Sequence, residues 1–141
     1  MNPTSSCGKF RGGRTEIPAS IVVIDDEPLV RWSLVAGLRQ AGFDAVPAAT
    51  FEESSARGQR APDIVLVDVR LGGRDPVNLM EQIRSFAPGS RILLLAVEGQ
   101  DVPLSGWSDV DVIRKPFDLA AVVRRVEHAL ACPPHDVKMA V

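Results

Sequence analysis

Short β-branched runs alternate along the chain with segments of helical period, the pattern of a parallel sheet whose strands are joined by crossover helices. The run Ile21 to Asp25 predicts a first strand. Pro28 then sits where a first helical turn tolerates it, and Val30, Leu34 and Leu38 recur every four residues before Gly42 supplies a stop. Phe43 to Ala48 reads as a second strand. Thr50, with Glu53 three residues on, forms a capping box that opens a short, polar second helix. The third strand, Asp63 to Asp68, is apolar on both faces, which places it centrally in the sheet with helices on each side. Asp75 and Pro76 are an N-cap and first-turn pair for a third helix, with Leu79, Met80 and Ile83 on its buried stripe and Pro88-Gly89 as its exit turn. A fourth strand spans Arg91 to Ala96. Between Gly99 and Asp109, Pro103 and Gly106 allow only a brief or distorted helix, and this segment is expected to be mobile. The fifth strand is Asp111 to Arg114. Asp118 caps a last helix whose Leu119, Val122, Val123, Val126 and Leu130 face inward, with Phe117 stapled to Val122 and Pro133-Pro134 ending it.

Composition narrows the class without changing this outline. At 141 residues the chain has room for one hydrophobic core, and 45% hydrophobic with 24% charged residues is the balance of a globular protein. We expect a single domain over residues 20–131, a disordered leader over 1–19 and a short tail over 132–141, because the leader holds only Phe10 and Ile17 as bulky apolar residues. Sixteen Lys and Arg against eighteen Asp and Glu leave a net charge of −2, so no direct binding to nucleic acid or to a membrane surface is expected. No apolar run approaches the length of a bilayer crossing and no signal-peptide core opens the chain; the expected location is cytoplasmic. Cys7 and Cys132 are expected to be free thiols, and His128 and His135 are too sparse for a metal cluster.

Candidate chemistry gathers at the strand ends, since the loops after the strands of an open parallel sheet line its crevice. Strand one delivers Asp25, Asp26 and Glu27 there, strand three Asp68, strand four Ala96 and Glu98, and strand five Lys115. Carboxylates so placed repel one another by about 4 kcal/mol for a pair about 4 Å apart at an effective dielectric near 20. A hard divalent cation such as Mg2+, together with Lys115, would compensate them. The same arrangement suits phosphoryl transfer, with Asp68 as nucleophile. The plainer readings are strand-end aspartates that only cap the next helix and a solvated Lys115. Trp32 and Trp107 either mark partner surfaces or lie half buried, and Arg124 and Arg125 read as a solvated helix face.

Ile-Val-Val-Ile-Asp-Asp-Glu at 21–27, Asp-Ile-Val-Leu-Val-Asp-Val-Arg-Leu at 63–71 and Lys-Pro-Phe at 115–117 together resemble the receiver domain of bacterial two-component response regulators. The resemblance implies an α/β fold, a doubly wound, flavodoxin-like, five-stranded parallel sheet in the order 2-1-3-4-5. It implies Asp68 as phosphoacceptor and Lys115 as the contact to the phosphoryl oxygens. Asp25, Asp26, Asp68 and the backbone carbonyl of Arg70 would form the Mg2+ site. The phosphoryl donor would be a sensor histidine kinase or a phosphotransfer protein, the recipient of the signal an unspecified downstream protein, and a homodimer would form through the last helices. Such a chain catalyses its own phosphorylation and dephosphorylation and is not an enzyme with turnover. The segments Asp-Asp-Glu-Pro and Asp-Val-Arg-Leu look most like receivers attached to transcriptional regulators, yet only about ten residues follow the last helix, too few for a helix-turn-helix or an ATPase module.

Departures from the family pattern concern the switch. Ala96 stands where receivers carry Thr or Ser, Val112 where they carry an aromatic residue, and Ser105 or Ser108 would be the substitute hydroxyls. Gly72-Gly73-Arg74-Asp75-Pro76 lacks one glycine hinge and stiffens the start of the third helix. Two expectations follow: phosphorylation of Asp68 is read by a route other than the strand-four to strand-five relay, and Arg70 and Glu98 pair across Asp68 as a gate against the hydrolytic water. The alternative is a receiver-like interaction module that works without phosphorylation. A haloacid-dehalogenase-type phosphatase is disfavoured, because it needs Asp-x-Asp after its first strand.

Overall fold

Burial on both faces makes one strand the axis of the sheet: all five residues of β3 (Ile64–Asp68) are buried. The computed structural model describes residues 17–50, 52–53, 61–73, 75–97, 99–115 and 117–131. Around β3 lie β1 (Ser20–Ile24), β2 (Asp44–Ala48), β4 (Arg91–Ala96) and β5 (Val110–Arg114), all parallel, in the order β2-β1-β3-β4-β5. Three α-helices among the described residues flank them: α1 (Pro28–Gln40), α2 (Pro76–Phe86) and α3 (Leu119–Ala131). The doubly wound order that the resemblance implies is the one found.

Successive strand residues point to opposite faces, so each strand feeds two cores. On one face Ile21, Val23, Ile64, Leu66, Leu93 and Leu95 pack under α1 and α3. On the other, Val22, Ile24, Val65, Val67, Ile92 and Leu94 share a core with Leu79, Met80 and Ile83 of α2. The inward stripe of α3 is Val122, Val126 and Ala129; Leu119, Val123 and Leu130, expected on that stripe, are partly buried at its margins.

Local chemistry explains the element ends. Gly42, at φ +100°, takes the left-handed conformation that closes α1, and the next N–H, that of Phe43, donates back to Leu38 O at 3.0 Å. Asp75 Oδ2 accepts from the Asn78 N–H (3.2 Å) and Asp118 Oδ1 from the Ala121 N–H (2.8 Å), capping α2 and α3 as their sequences predict. The capping box is present: Thr50 Oγ1 accepts from the Glu53 N–H at 3.0 Å, and Glu53 Oε1 accepts from the Ala49 N–H at 2.7 Å. Ala19, placed in the leader by its sequence, already joins the sheet, its carbonyl accepting the Asp44 N–H at 2.9 Å.

Between β4 and β5 the described residues form turns rather than a helix. The Trp107 N–H donates to Leu104 O (2.8 Å) and the Val110 N–H to Trp107 O (3.2 Å). Val102, Leu104 and Trp107 pack against the core on the α2 face, so apolar anchors stand where a crossover helix would lie. Residues 1–16 and 132–141, hence Cys7, Cys132, His135 and Pro133-Pro134, lie outside the described residues, as do residues 54–60 of the second predicted helix, Arg74, Glu98 and Pro116. No helix among the described residues is long and apolar enough to cross a membrane.

Candidate functional site

Asp25 follows the last residue of β1 and is 1% exposed. Its N–H continues the pairing with β2 by donating to Ala48 O (3.2 Å), and its Oδ1 accepts the Glu27 N–H (2.9 Å). Oδ2 is buried with no hydrogen-bond partner among the described residues. Burial pushes the Asp25 carboxyl above the usual carboxylate range; the Glu27 N–H pulls against it, the charge of Asp68 adds to it, Lys115 opposes it and Asp26 adds again. Asp26 and Glu27 are exposed at the rim.

Asp68 ends β3 and is buried. Its Oδ1 accepts the backbone N–H of Arg70 at 2.8 Å, and the Arg70 guanidinium Nε stands 3.9 Å from the same oxygen. Its Oδ2 faces Lys115 Nζ at 3.5 Å. Lys115 reaches inward because its own N–H donates to Ala96 O (2.7 Å), which ties the end of β5 to the end of β4. Asp25, Asp68 and Lys115, read from the sequence as one constellation, are therefore brought together by three strand ends, with Asp26 beside them at the rim.

Among the described residues no group of three or more His, Cys, Asp or Glu side chains forms a complete metal-ligand set. What a divalent cation would find is narrower: the partnerless Asp25 Oδ2 and the neighbouring Asp68 carboxylate, with the Arg70 carbonyl as the further oxygen that the resemblance implies. That carbonyl accepts the Gly73 N–H at 3.0 Å, which engages one of its two lone pairs. A hard cation with two or three protein oxygens and several waters suits such a partial set.

Ala96 is buried at the end of β4, in register with Arg114. Val112, in register with Leu94, packs partly buried against the α2-side core. Ser105 and Ser108 are exposed in the turns before β5. The gate expected of Arg70 and Glu98 rests in part on a residue outside the described set; Arg70 itself is beside Asp68. Sequence reasoning missed Arg31, whose Nη1 donates to the Asp25 backbone carbonyl at 2.7 Å. Its place on α1, six residues along the chain, carries no spacing signal that would reveal this. Two grooves lie away from these residues: one of about 380 Å³ at the opposite end of the strands, beside Ser90, Arg91 and Asp109, and one of about 330 Å³ between β5 and α3.

Compared with known proteins, the chain matches the response regulator receiver domain over residues 21–127. It is 30% identical over 116 residues to the DNA-binding transcriptional regulator NtrC of Escherichia coli, covering 77% of this chain and 24% of that protein. It is 33% identical over 114 residues to the transcriptional regulatory protein CseB of Streptomyces coelicolor, covering 78% of this chain and 48% of that one. The chain thus spans about half or less of these relatives. A response regulator from Thermotoga maritima shares the fold with a TM-score of 0.66 at 24% identity, over 82% of this chain and 100% of that one.

Proposed function

The chain belongs to the response regulator receiver domain family of two-component signalling, and from that premise we propose that Asp68 is its phosphoacceptor. The observation that carries the reading is the buried Asp68 carboxylate, 3.5 Å from Lys115 Nζ and next to a buried Asp25 whose Oδ2 has no partner among the described residues.

In the reaction an Asp68 carboxylate oxygen attacks the phosphorus of a phosphohistidine. A P–O bond forms, the P–N bond breaks, and the imidazole leaves. Lys115 screens the incoming phosphoryl oxygens, while the Arg70 N–H holds Oδ1 and so fixes the rotation of the carboxylate. Mg2+, held by Asp25, Asp26, Asp68 and the Arg70 carbonyl, would supply further neutralisation of phosphoryl charge when bound. The donor is a sensor histidine kinase or a phosphotransfer protein, and the receiver accelerates both the uptake and the loss of its own phosphoryl group.

The test is intact mass after incubation with acetyl phosphate and magnesium, beside Asp68→Asn and a chelator control. A single phosphoryl adduct, absent from both controls, is expected. Ala96 and Val112 favour a second reading, an interaction module that functions without phosphorylation, and a folded protein that takes no adduct with magnesium present would select it.

A further inference from the structure

The pocket wall formed by the ends of β4 and β5 carries more fastening than the strands supply. Beyond β4 the Gln100 N–H donates back to Val97 O (3.1 Å), closing a turn that has Gly99 at φ +83°. The Gln100 side chain folds back, Oε1 accepting the Val97 N–H at 3.3 Å. Arg114, the last residue of β5, lays one guanidinium nitrogen across the turn: Nη1 donates to Gln100 O at 2.7 Å and to Val97 O at 3.3 Å. The next residue is Lys115, whose N–H bonds Ala96 O at 2.7 Å and whose Nζ faces Asp68.

We propose that Arg114 is a positioning residue: its guanidinium fastens Val97 and Gln100 to β5 and so fixes the pocket wall that carries Lys115, whatever the state of Asp68. Ala96 presents no hydroxyl through which the charge at Asp68 could pull on the turn. The guanidinium's acceptors are the backbone carbonyls of Val97 and Gln100, so the clamp is made without any acidic side chain. Only the clause on the state of Asp68 rests on the phosphoacceptor reading.

The experiment is amide hydrogen exchange by NMR on the full chain, with and without Mg2+ and beryllofluoride as the phosphoryl mimic, for wild type, Arg114→Ala and Arg114→Lys. In the wild type, protection at Val97, Gln100 and Lys115 should change less than about 2-fold on adding the mimic. In Arg114→Ala it should fall about 5- to 10-fold at these amides, with β1 and β3 unchanged, both with and without the mimic. A lysine ammonium can likewise donate to both carbonyls, but from a more flexible and more strongly hydrated stem, so Arg114→Lys should recover part of the protection. Wild-type protection in Arg114→Ala, or a turn that responds to the mimic in the wild type, overturns the proposal. Amides of Val69 and Arg70 report whether the mimic binds at all. If they stay still, the phosphoacceptor reading fails, while the alanine variant still decides the clamp.

Discussion

One carboxylate oxygen buried without a partner is a local cost that the rest of a fold must offset, and Asp25 Oδ2 is in that position. Because its carboxyl is raised above its ordinary value, the folded protein binds more protons than the unfolded chain between the ordinary and the raised pKa. Stability from this group therefore falls as pH rises through that window. Asp25→Asn should raise the melting temperature of the magnesium-free protein at pH 7 by roughly 4 °C, corresponding to about 1 kcal/mol, and the difference should shrink in acid. A lower melting temperature at pH 7 would contradict the assignment. Arg70 acts at the same scale. If its guanidinium, 3.9 Å from Asp68 Oδ1, hinders the hydrolytic water, Arg70→Ala should shorten the lifetime of the phosphoryl group about 2- to 5-fold. An unchanged lifetime, followed by loss of the mass adduct, removes that role. Asp25, Asp68 and Lys115 were legible as strand-end charges; the orphaned oxygen and Arg31 were not, because both depend on burial and on side-chain reach that spacing does not encode.

At the scale of elements, the caps and turns written locally were the most readable, since Thr50, Asp75 and Asp118 each bond a backbone N–H three residues on. Gly37 is the opposite case. A glycine inside a helix costs about 1 kcal/mol relative to alanine, with no local reason in its sequence neighbourhood. The reason is α3: a Cβ on Gly37 would overlap Leu119 Cδ1 and lie 2.9 Å from Leu119 Cγ. Gly37→Val should therefore lower the unfolding free energy by roughly 1–3 kcal/mol, read from the denaturation midpoint. A stability gain would mean that the Leu119 side chain swings aside at little cost. The β4–β5 connection shows a similar division. Pro103 and Gly106 announced a broken helix, but the anchoring of Val102, Leu104 and Trp107 required a core to anchor them.

For the whole molecule, the sheet brings the acid rim to the N-terminal end of α1, where Leu29 is 81% and Trp32 51% exposed. These residues lie three apart on one helix face and offer an apolar contact beside the pocket. The two tryptophans, indistinguishable in sequence, are thus separated by tertiary structure: Trp107 packs on the core and Trp32 faces outward. Trp32→Ala should slow phosphoryl transfer from a phosphohistidine protein by about tenfold or more, while labelling by acetyl phosphate stays within about 2-fold. Equal loss with both donors would place Trp32 in the fold rather than at a docking face. Period, caps and the charges at strand ends are properties of neighbouring residues, so the sequence alone determined the five strands, the helices α1, α2 and α3 and the Asp25, Asp68 and Lys115 constellation. Which oxygen lost its partner, which glycine admits a second helix, which tryptophan is covered and which arginine reaches Val97 and Gln100 were decided only by tertiary structure. Each depends on atoms distant in the chain meeting at distances of a few ångströms, and local pattern holds no record of those distances.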